Sequence, residues 1–206
     1  MEPLLSDPSC RLCPLGGVSR STCVLGDGPL ESEILVLGIN PGRAEDLQGR
    51  VFVGKSGQLL REMLREMELT ARIENIVSCW TPGNREPTSV EIKACSLWLE
   101  RRVRAMTALK YVIALGALPM RVCGVDGSIT KLAGVPRPAV LYGREVTVIP
   151  IMHPAGLMRR PSYISTWESH WHQIRELIRP REQSFADTVG SRLFPKGLEG
   201  KDWRTV

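Results

Sequence analysis

Hydrophobic and polar positions follow two distinct patterns along this chain. Short continuous apolar runs are typical of strands buried on both faces of a parallel sheet. Elsewhere apolar residues recur at spacings of three and four, as on the buried face of a helix. The runs are 34–37, 76–77, 111–115 and 146–151, and the helical stretches are about 57–68, about 88–106 (opening on the capping box Thr88-Ser89-Val90-Glu91) and 164–178. This order predicts an α/β fold of three layers, α/β/α, with a central four-stranded, mostly parallel sheet.

Both ends of the chain differ from this regular middle. Residues 1–32 are rich in Gly, Pro, Ser and Cys, so we expect an N-terminal arm that is stabilised by a metal. Beyond Pro180 the periodicity is lost and the sequence becomes polar. The sequence therefore predicts one domain over residues 1–180 and a loosely packed C-terminal tail over residues 181–206.

The composition of the 206 residues is that of an ordinary globular protein, with 43% hydrophobic and 24% charged residues. It excludes disorder over the whole chain. No apolar run reaches the roughly 18 residues of a membrane span, and residues 1–7 do not look like a secretory signal. We therefore expect a cytoplasmic protein that does not bind membranes. The net charge of +5 permits a polyanionic partner such as nucleic acid but does not require one.

The cysteines suggest a metal or redox site. Cys10 and Cys13, followed by Pro14, form a tight Cys-x-x-Cys turn of the kind that holds zinc or an iron–sulfur cluster. In a reducing compartment, clustered cysteines are better explained as metal ligands or redox groups than as disulfides. The spacing of the cysteines does not distinguish zinc from iron.

One literal motif match is misleading. Residues 49–56 (GRVFVGKS) fit the phosphate-binding pattern G-x-x-x-x-G-K-[ST]. A working phosphate-binding loop follows directly on an apolar strand, but residues 43–48 (RAEDLQ) have no strand pattern. No later strand ends in the aspartate that would hold magnesium. We interpret the match as accidental.

Polar, Gly and Pro residues follow each predicted strand. Because the carboxyl ends of parallel strands meet at one edge of a sheet, we expect these turns to form one site. The turns are 38–42 (GINPG), 79–87 (CWTPGNREP), 116–119 (GALP) and 152–156 (MHPAG).

The same segments form an ordered set of motifs. Residues 38–46 and 49–60 come first, then residues 75–79 with 82–87 and Cys95, then residues 112–116, and last residues 153–155. In content, order and spacing the set resembles the motifs of the iron–sulfur uracil-DNA glycosylases, family 4. The resemblance covers about residues 10–178. It implies a 4Fe-4S cluster held by Cys10, Cys13, Cys79 and Cys95, with Cys23 and Cys123 as spare thiols.

The resemblance also assigns roles in the site. Asn40 and His153 fall on catalytic positions: the Asn40 oxygen can orient a water beneath the sugar carbon, and His153 can donate a hydrogen bond to the departing base. The base-binding positions fall on Gly38, Ile39, Phe52 and Asn75. The resemblance implies that Phe52 stacks on the flipped base and that the Asn75 amide matches the O4 and N3–H edge of uracil.

One position departs from the family pattern. Family 4 enzymes usually carry an acidic residue where this chain has Ile39, and the Gly-Ile-Asn-Pro-Gly stretch is similar to that of the mismatch-directed thymine/uracil glycosylases. The expected substrate is therefore uracil or a related deaminated base.

The expected partner is DNA that contains uracil or another deaminated base, bound by a monomer. Arg85, Arg159 and Arg160 are candidate phosphate contacts, and Leu157 and Met158 are candidates for an apolar wedge that fills the gap left by the flipped base. The sequence leaves two functions open. One is a glycosylase that hydrolyses the N-glycosidic bond and leaves an abasic site, and the other is a non-catalytic iron–sulfur or zinc protein of the same fold that binds nucleic acid.

Overall fold

The computed structural model describes residue 5, residues 7–18 and residues 23–179. The predicted tail, 181–206, lies outside the described residues. None of the helices in the described part has the length and apolar character needed to cross a membrane.

A five-stranded sheet forms the centre of the molecule, with strand order β2-β1-β3-β5-β4. Its first four members in that order run parallel, and β4 pairs antiparallel with β5. The strands are β1 (Ile34–Gly38), β2 (Arg72–Asn75), β3 (Tyr111–Leu115), β4 (Arg137–Leu141) and β5 (Arg144–Ile151). The predicted α/β architecture with a mostly parallel sheet is confirmed.

Two details of the predicted sheet are wrong. The sheet has five strands rather than four, because β4 is an edge strand that contains Pro138 and is mostly exposed, so it lacks a continuous apolar run. Tyr142 and Gly143, both with positive φ, make its two-residue turn to β5. The second strand ends at Asn75, just before the predicted position at residues 76–77, because its buried Glu74 and Asn75 interrupt the apolar pattern.

Helices cover both faces of the sheet. They are α1 (Leu15–Val18), α2 (Arg43–Gln48), α3 (Lys55–Glu66), α4 (Ser89–Ala105), α5 (Ala117–Val122), α6 (Ile129–Leu132), α7 (Pro154–Arg159) and α8 (Ile164–Ile178). The predicted capping box starts α4: the Thr88 side chain accepts from the Glu91 N–H, and the Glu91 carboxylate accepts from the Thr88 N–H. Such a box satisfies two backbone donors that a helix start leaves without partners.

Alternate residues of β1 divide the core into two apolar clusters. Leu35 and Leu37 pack on the side of α4, while Ile34 and Val36 pack on the side of α3 and α8. Trp167 of α8 is buried in the second cluster, as the sequence predicts. Each fully buried Leu, Ile or Val side chain of these clusters contributes about 1.5–3 kcal/mol to folding. The two filled faces leave the strand ends as the place for a site.

Candidate active site

A cleft of about 550 Å³ opens at the carboxyl edge of the parallel strands. Gly38 pairs with Asn75 across β1 and β2, and Leu115 pairs with Ile151 across β3 and β5, so these strands end at one level. The turns that follow the strands therefore meet in one place. Polar side chains that line the cleft include Asn40, Glu45, Ser56, Asn75, Asn84, Glu86, His153 and Arg159.

Asn40 lies two residues beyond the end of β1. Its Nδ2 donates to the backbone oxygen of Pro41 at 3.1 Å and to Oγ1 of Thr81 at 3.0 Å. Both amide hydrogens are thus used. Among the described residues no donor bonds to its Oδ1, which leaves this oxygen for a molecule in the cleft.

His153 follows β5 and caps the start of α7. Its Nδ1 accepts from the backbone N–H of Ala155 at 3.1 Å, so the neutral ring carries its proton on Nε2. Burial lowers the pKa of His153 to about 4, and the positive charge of Arg159 acts in the same direction. His153 is therefore a neutral hydrogen-bond donor at physiological pH.

Phe52 forms an aromatic wall beside His153. The two ring centroids are 6.2 Å apart and the ring planes are 31° from parallel. Phe52 is almost fully buried and has a φ of 54°, in the left-handed region that non-glycine residues rarely adopt. Two residues constrain this backbone. Arg61 donates to the oxygens of Val51 and Phe52, and a Cβ at position 57 would lie 2.2 Å from the Phe52 carbonyl carbon, so Gly57 has no room for a side chain.

Glu45 supports the same loop from the other side. Its carboxylate accepts from the backbone N–H groups of Val53 and Gly54 at 3.0 and 2.8 Å, just before α3 begins. In a phosphate-binding loop these donors would face a phosphate. Here both N–H groups donate to the Glu45 carboxylate, and no strand directly precedes the loop. Both observations agree with the interpretation of residues 49–56 as an accidental match.

Asn75 lies at the floor of the cleft, at the end of β2. It is 3% exposed, and its Oδ1 is buried without a hydrogen-bond partner. A Cβ at position 38 would lie 2.4 Å from this oxygen and 2.6 Å from Cζ of Phe52. Gly38 therefore lets Asn75 and Phe52 approach each other, and the neighbouring Ile39 also lines the cleft.

The predicted DNA contacts differ in their surroundings. Arg159 and Arg160 are exposed next to the cleft. Arg85 makes a two-bonded ion pair with Glu91, at 2.7 and 2.8 Å, which lowers the pKa of Glu91 to about 2. This pair fixes the loop before α4, and a phosphate contact by Arg85 stays a prediction.

The wedge prediction is corrected for one residue. The sequence suggests an exposed loop after His153, but residues 154–159 form helix α7. Leu157 points inward and is completely buried in the core, so it does not reach the surface in this structure. Met158, on the outer side of the same helix, is 50% exposed and keeps the role as a candidate.

Comparison with known proteins identifies the family of this chain. The family model described as the uracil DNA glycosylase superfamily matches residues 25–175. The chain belongs to this superfamily. Type-4 uracil-DNA glycosylases are among its relatives: that of Archaeoglobus fulgidus is 33% identical over 187 residues, which are 87% of this chain and 93% of the relative.

Two further relatives carry the same description. The type-4 uracil-DNA glycosylase of Sulfurisphaera tokodaii is 34% identical over 89% of this chain and 87% of its own length. That of Thermotoga maritima is 40% identical over 74% of this chain and 80% of its own length. The type-4 iron–sulfur resemblance that the motifs indicate is thereby confirmed at the level of the family.

The four predicted cluster ligands of this family member lie on the α4 side of the sheet. Cys10 and Cys13 are half-buried and pack against the apolar cluster that contains the buried Cys79 and Cys95. None of the six cysteines forms a disulfide. The backbone N–H of Ser78 donates to Sγ of Cys95 at 3.4 Å. A cysteine sulfur that accepts from a backbone N–H is typical of iron–sulfur ligation.

The described residues, the four predicted cysteine ligands included, do not by themselves form a metal site. In the described part of the chain, no three His, Cys, Asp or Glu side chains are arranged to hold a metal ion. Burial raises the pKa of the Cys95 thiol, and to a lesser extent so does Cys23, which lies in the same apolar cluster. Its assignment as a spare thiol stays a prediction.

Sequence reasoning did not assign a role to Thr81 or Glu45. Thr81 is completely buried and bonds to Asn40, and Glu45 fixes the loop of Phe52. Thr81 gives no signal in the sequence because its partner is 41 residues away. For Glu45 the one available signal is an acidic residue nine positions before Gly54, the glycine that precedes α3.

Proposed function

We propose that this protein is a monofunctional DNA glycosylase that removes uracil from DNA. The observation that carries the proposal is the buried Oδ1 of Asn75, which lacks a partner on the floor of a cleft that also presents Phe52 and His153. A buried polar atom without a partner costs stability. Its presence in this cleft is explained by a ligand that supplies the missing donor.

Uracil supplies that donor. Its N3–H fits Oδ1 of Asn75, and its O4 can accept from Nδ2 of the same amide. Cytosine presents an acceptor at N3 and an amino group at C4, so both contacts would pair like with like. A site built to pair polar groups rejects a base that leaves them unpaired. Since the base must leave the duplex to reach the floor of the cleft, the nucleotide is flipped, and Phe52 offers an aromatic face for it.

Asn40 and His153 support hydrolysis of the bond between N1 of uracil and C1′ of the sugar. As this bond breaks, positive charge develops on the sugar and negative charge on the base. The Nε2–H of the neutral His153 donates a hydrogen bond to the base oxygen that gains charge. Oδ1 of Asn40 accepts from a water that attacks C1′. The water adds its hydroxyl to the sugar, and its proton leaves to solvent or to the base anion, giving free uracil and an abasic site.

Ile39 is relevant to which bases the protein can release from DNA. It stands where family 4 usually has an acidic residue, so the water is held by an amide, which cannot take its proton. Catalysis then depends on bond breaking running ahead of attack. We propose that a related deaminated base, which forms an equally stabilised anion, is a second substrate.

The exposed Arg159 and Arg160 beside the cleft support a role in phosphate binding, together with Arg85. Met158, exposed on the same short helix, suits the role of the wedge. In this proposal one protein molecule acts alone on the DNA.

The cysteines support a 4Fe-4S cluster with Cys10, Cys13, Cys79 and Cys95 as ligands. When bound, the cluster would cross-link the N-terminal arm to the segment after β2 and to α4, and so stabilise the fold. No step of base removal passes through it.

The test is base release from defined DNA. Purified protein is incubated with duplexes that carry one uracil, hypoxanthine, xanthine or G·T mismatch, and abasic sites are then cleaved with alkali. Cleavage at uracil supports the proposal, and cleavage at a second base defines the range. Tight binding without cleavage of any of these duplexes would instead favour the non-catalytic nucleic-acid-binding protein.

A further inference from the structure

The orientation of the Asn40 amide is fixed by its surroundings. Nδ2 donates one hydrogen to the Pro41 oxygen and the other to Oγ1 of Thr81. A backbone oxygen can only accept, so the first contact already requires the nitrogen at this position. The hydroxyl of Thr81 can donate or accept. The direction of the second hydrogen bond therefore depends on where this hydroxyl donates its own hydrogen.

A third residue, Arg85, fixes where the Thr81 hydroxyl donates its hydrogen. Oγ1 of Thr81 lies 2.5 Å from the backbone oxygen of Arg85, to which it donates its single hydrogen. Towards Asn40 the hydroxyl can therefore only accept. If the amide were inverted, Oδ1 would face two acceptors, the Pro41 oxygen and Oγ1 of Thr81. The network thus leaves Oδ1 as the atom available to the cleft.

This network is anchored on helix α4. Thr81 is completely buried. The backbone of Arg85 is held because its guanidinium bonds to Glu91 at two points. The Glu91 carboxylate also accepts from the Thr88 N–H at 2.7 Å in the capping box of α4. Four residues, Thr88, Glu91, Arg85 and Thr81, thus connect the start of α4 to the amide of Asn40.

We infer that Thr81 is a positioning residue that directs the Asn40 oxygen towards the attacking water. The inference rests on the proposed function and deepens it. Without the Thr81 hydroxyl the amide is free to rotate, and an amide that presents its NH₂ group cannot accept from the water. Loss of a positioning group of this kind costs about 10²-fold in rate.

The kinetic test uses single-turnover release of uracil from a duplex. We expect Thr81→Val to be about 10- to 10²-fold slower with unchanged affinity for DNA, and Thr81→Ser to recover most of the rate. Asn40→Ala combined with Thr81→Val should be no slower than Asn40→Ala alone, because the hydroxyl acts through the amide. Thr147→Val, on β5 away from the cleft, is the matched control. A wild-type rate for Thr81→Val, or losses that add in the double variant, would overturn the inference.

A second readout does not depend on activity. In protein labelled with ¹⁵N on asparagine, the Asn40 side-chain amide is assigned by its loss in Asn40→Ala. Its hydrogens should exchange slowly with solvent in the wild type and in Thr81→Ser, and faster in Thr81→Val. Equal exchange in all three would overturn the inference. If the wild type releases no base from any duplex, the proposed function fails, while this measurement still decides whether Thr81 fixes the amide. Thr81→Ala replaces Thr81→Val if the latter does not fold.

Discussion

Replacing His153 by glutamine should remove a large part of the acid sensitivity of this fold. In the folded protein burial lowers the pKa of His153 from 6.5 to about 4. In the unfolded chain the ring keeps its ordinary value. Between these two values the unfolded state binds a proton that the folded state does not, so the free energy of unfolding falls as the pH falls through this window. Above pH 6.5 neither state binds it and the full stability is present.

The size of the effect follows from the two pKa values. The difference between 6.5 and about 4 corresponds to about 3 kcal/mol once the pH is below the window. At about pH 5 the loss is about 2 kcal/mol relative to about pH 7.5. Glutamine keeps an N–H donor but does not titrate, so His153→Gln should lack this part of the pH dependence.

Urea unfolding followed by tryptophan fluorescence, at both pH values, measures it. His172→Gln, on the exposed side of α8, is the matched control and should behave like the wild type. His170, whose pKa is also lowered by burial, is present in every variant and cancels. A separate assay without urea measures uracil release by the wild type. Its rate should not fall between about pH 8 and about pH 5.5, because His153 is neutral throughout. An equal loss of stability in the wild type and His153→Gln would refute the assigned state of this histidine.

Three further predictions concern the ligands, the DNA path and the floor of the cleft. Cys10→Ala should lose iron and visible colour, measured by metal analysis and absorbance, whereas Cys123→Ala should keep both; a colourless wild type with one zinc would contradict this. Arg159→Ala should lower the slope of log affinity against log salt by about one, whereas Phe52→Ala should keep the slope and reduce turnover; the reverse pattern would refute the two roles. Gly38→Ala should cost about 1–3 kcal/mol in urea unfolding and most of the uracil release, since its Cβ would lie 2.4 Å from the Asn75 oxygen; unchanged release would mean that the floor is not used.

The elements of the fold that could be predicted are those marked by a pattern of neighbouring residues in the sequence. The apolar runs of β1 and β3 and the capping box of α4 coincide with the structure to within a residue or two. The edge strand β4 could not be found in this way, because a strand with one exposed side and a proline carries no apolar run. In β2, the buried Glu74 is paired with Arg72 of the same strand and with Arg102 of α4, and no local pattern predicts the second pair.

In the site, too, the residues that belong to a local motif could be predicted and the contacts between distant segments could not. The position of Asn40, Asn75 and His153 in one cleft could be predicted, because the ends of parallel strands meet and their turns carry recognisable motifs. The supporting contacts could not be predicted. Thr81 bonds to Asn40 across 41 positions of the chain, and Glu45 accepts from two backbone N–H groups of a loop that no periodic pattern marks. Leu157 was misplaced because spacing after a motif does not reveal whether a turn continues as a loop or closes into a helix.

The most direct test of the account is uracil release by the wild type and by Asn75→Asp under single-turnover conditions, on duplexes that carry uracil or cytosine at one position. The account predicts that the wild type releases uracil and leaves cytosine intact, and that Asn75→Asp loses at least about 10²-fold on uracil, because its second carboxylate oxygen faces the base O4 in place of a donor. Undiminished uracil release by Asn75→Asp, or release of cytosine and uracil alike by the wild type, would contradict it.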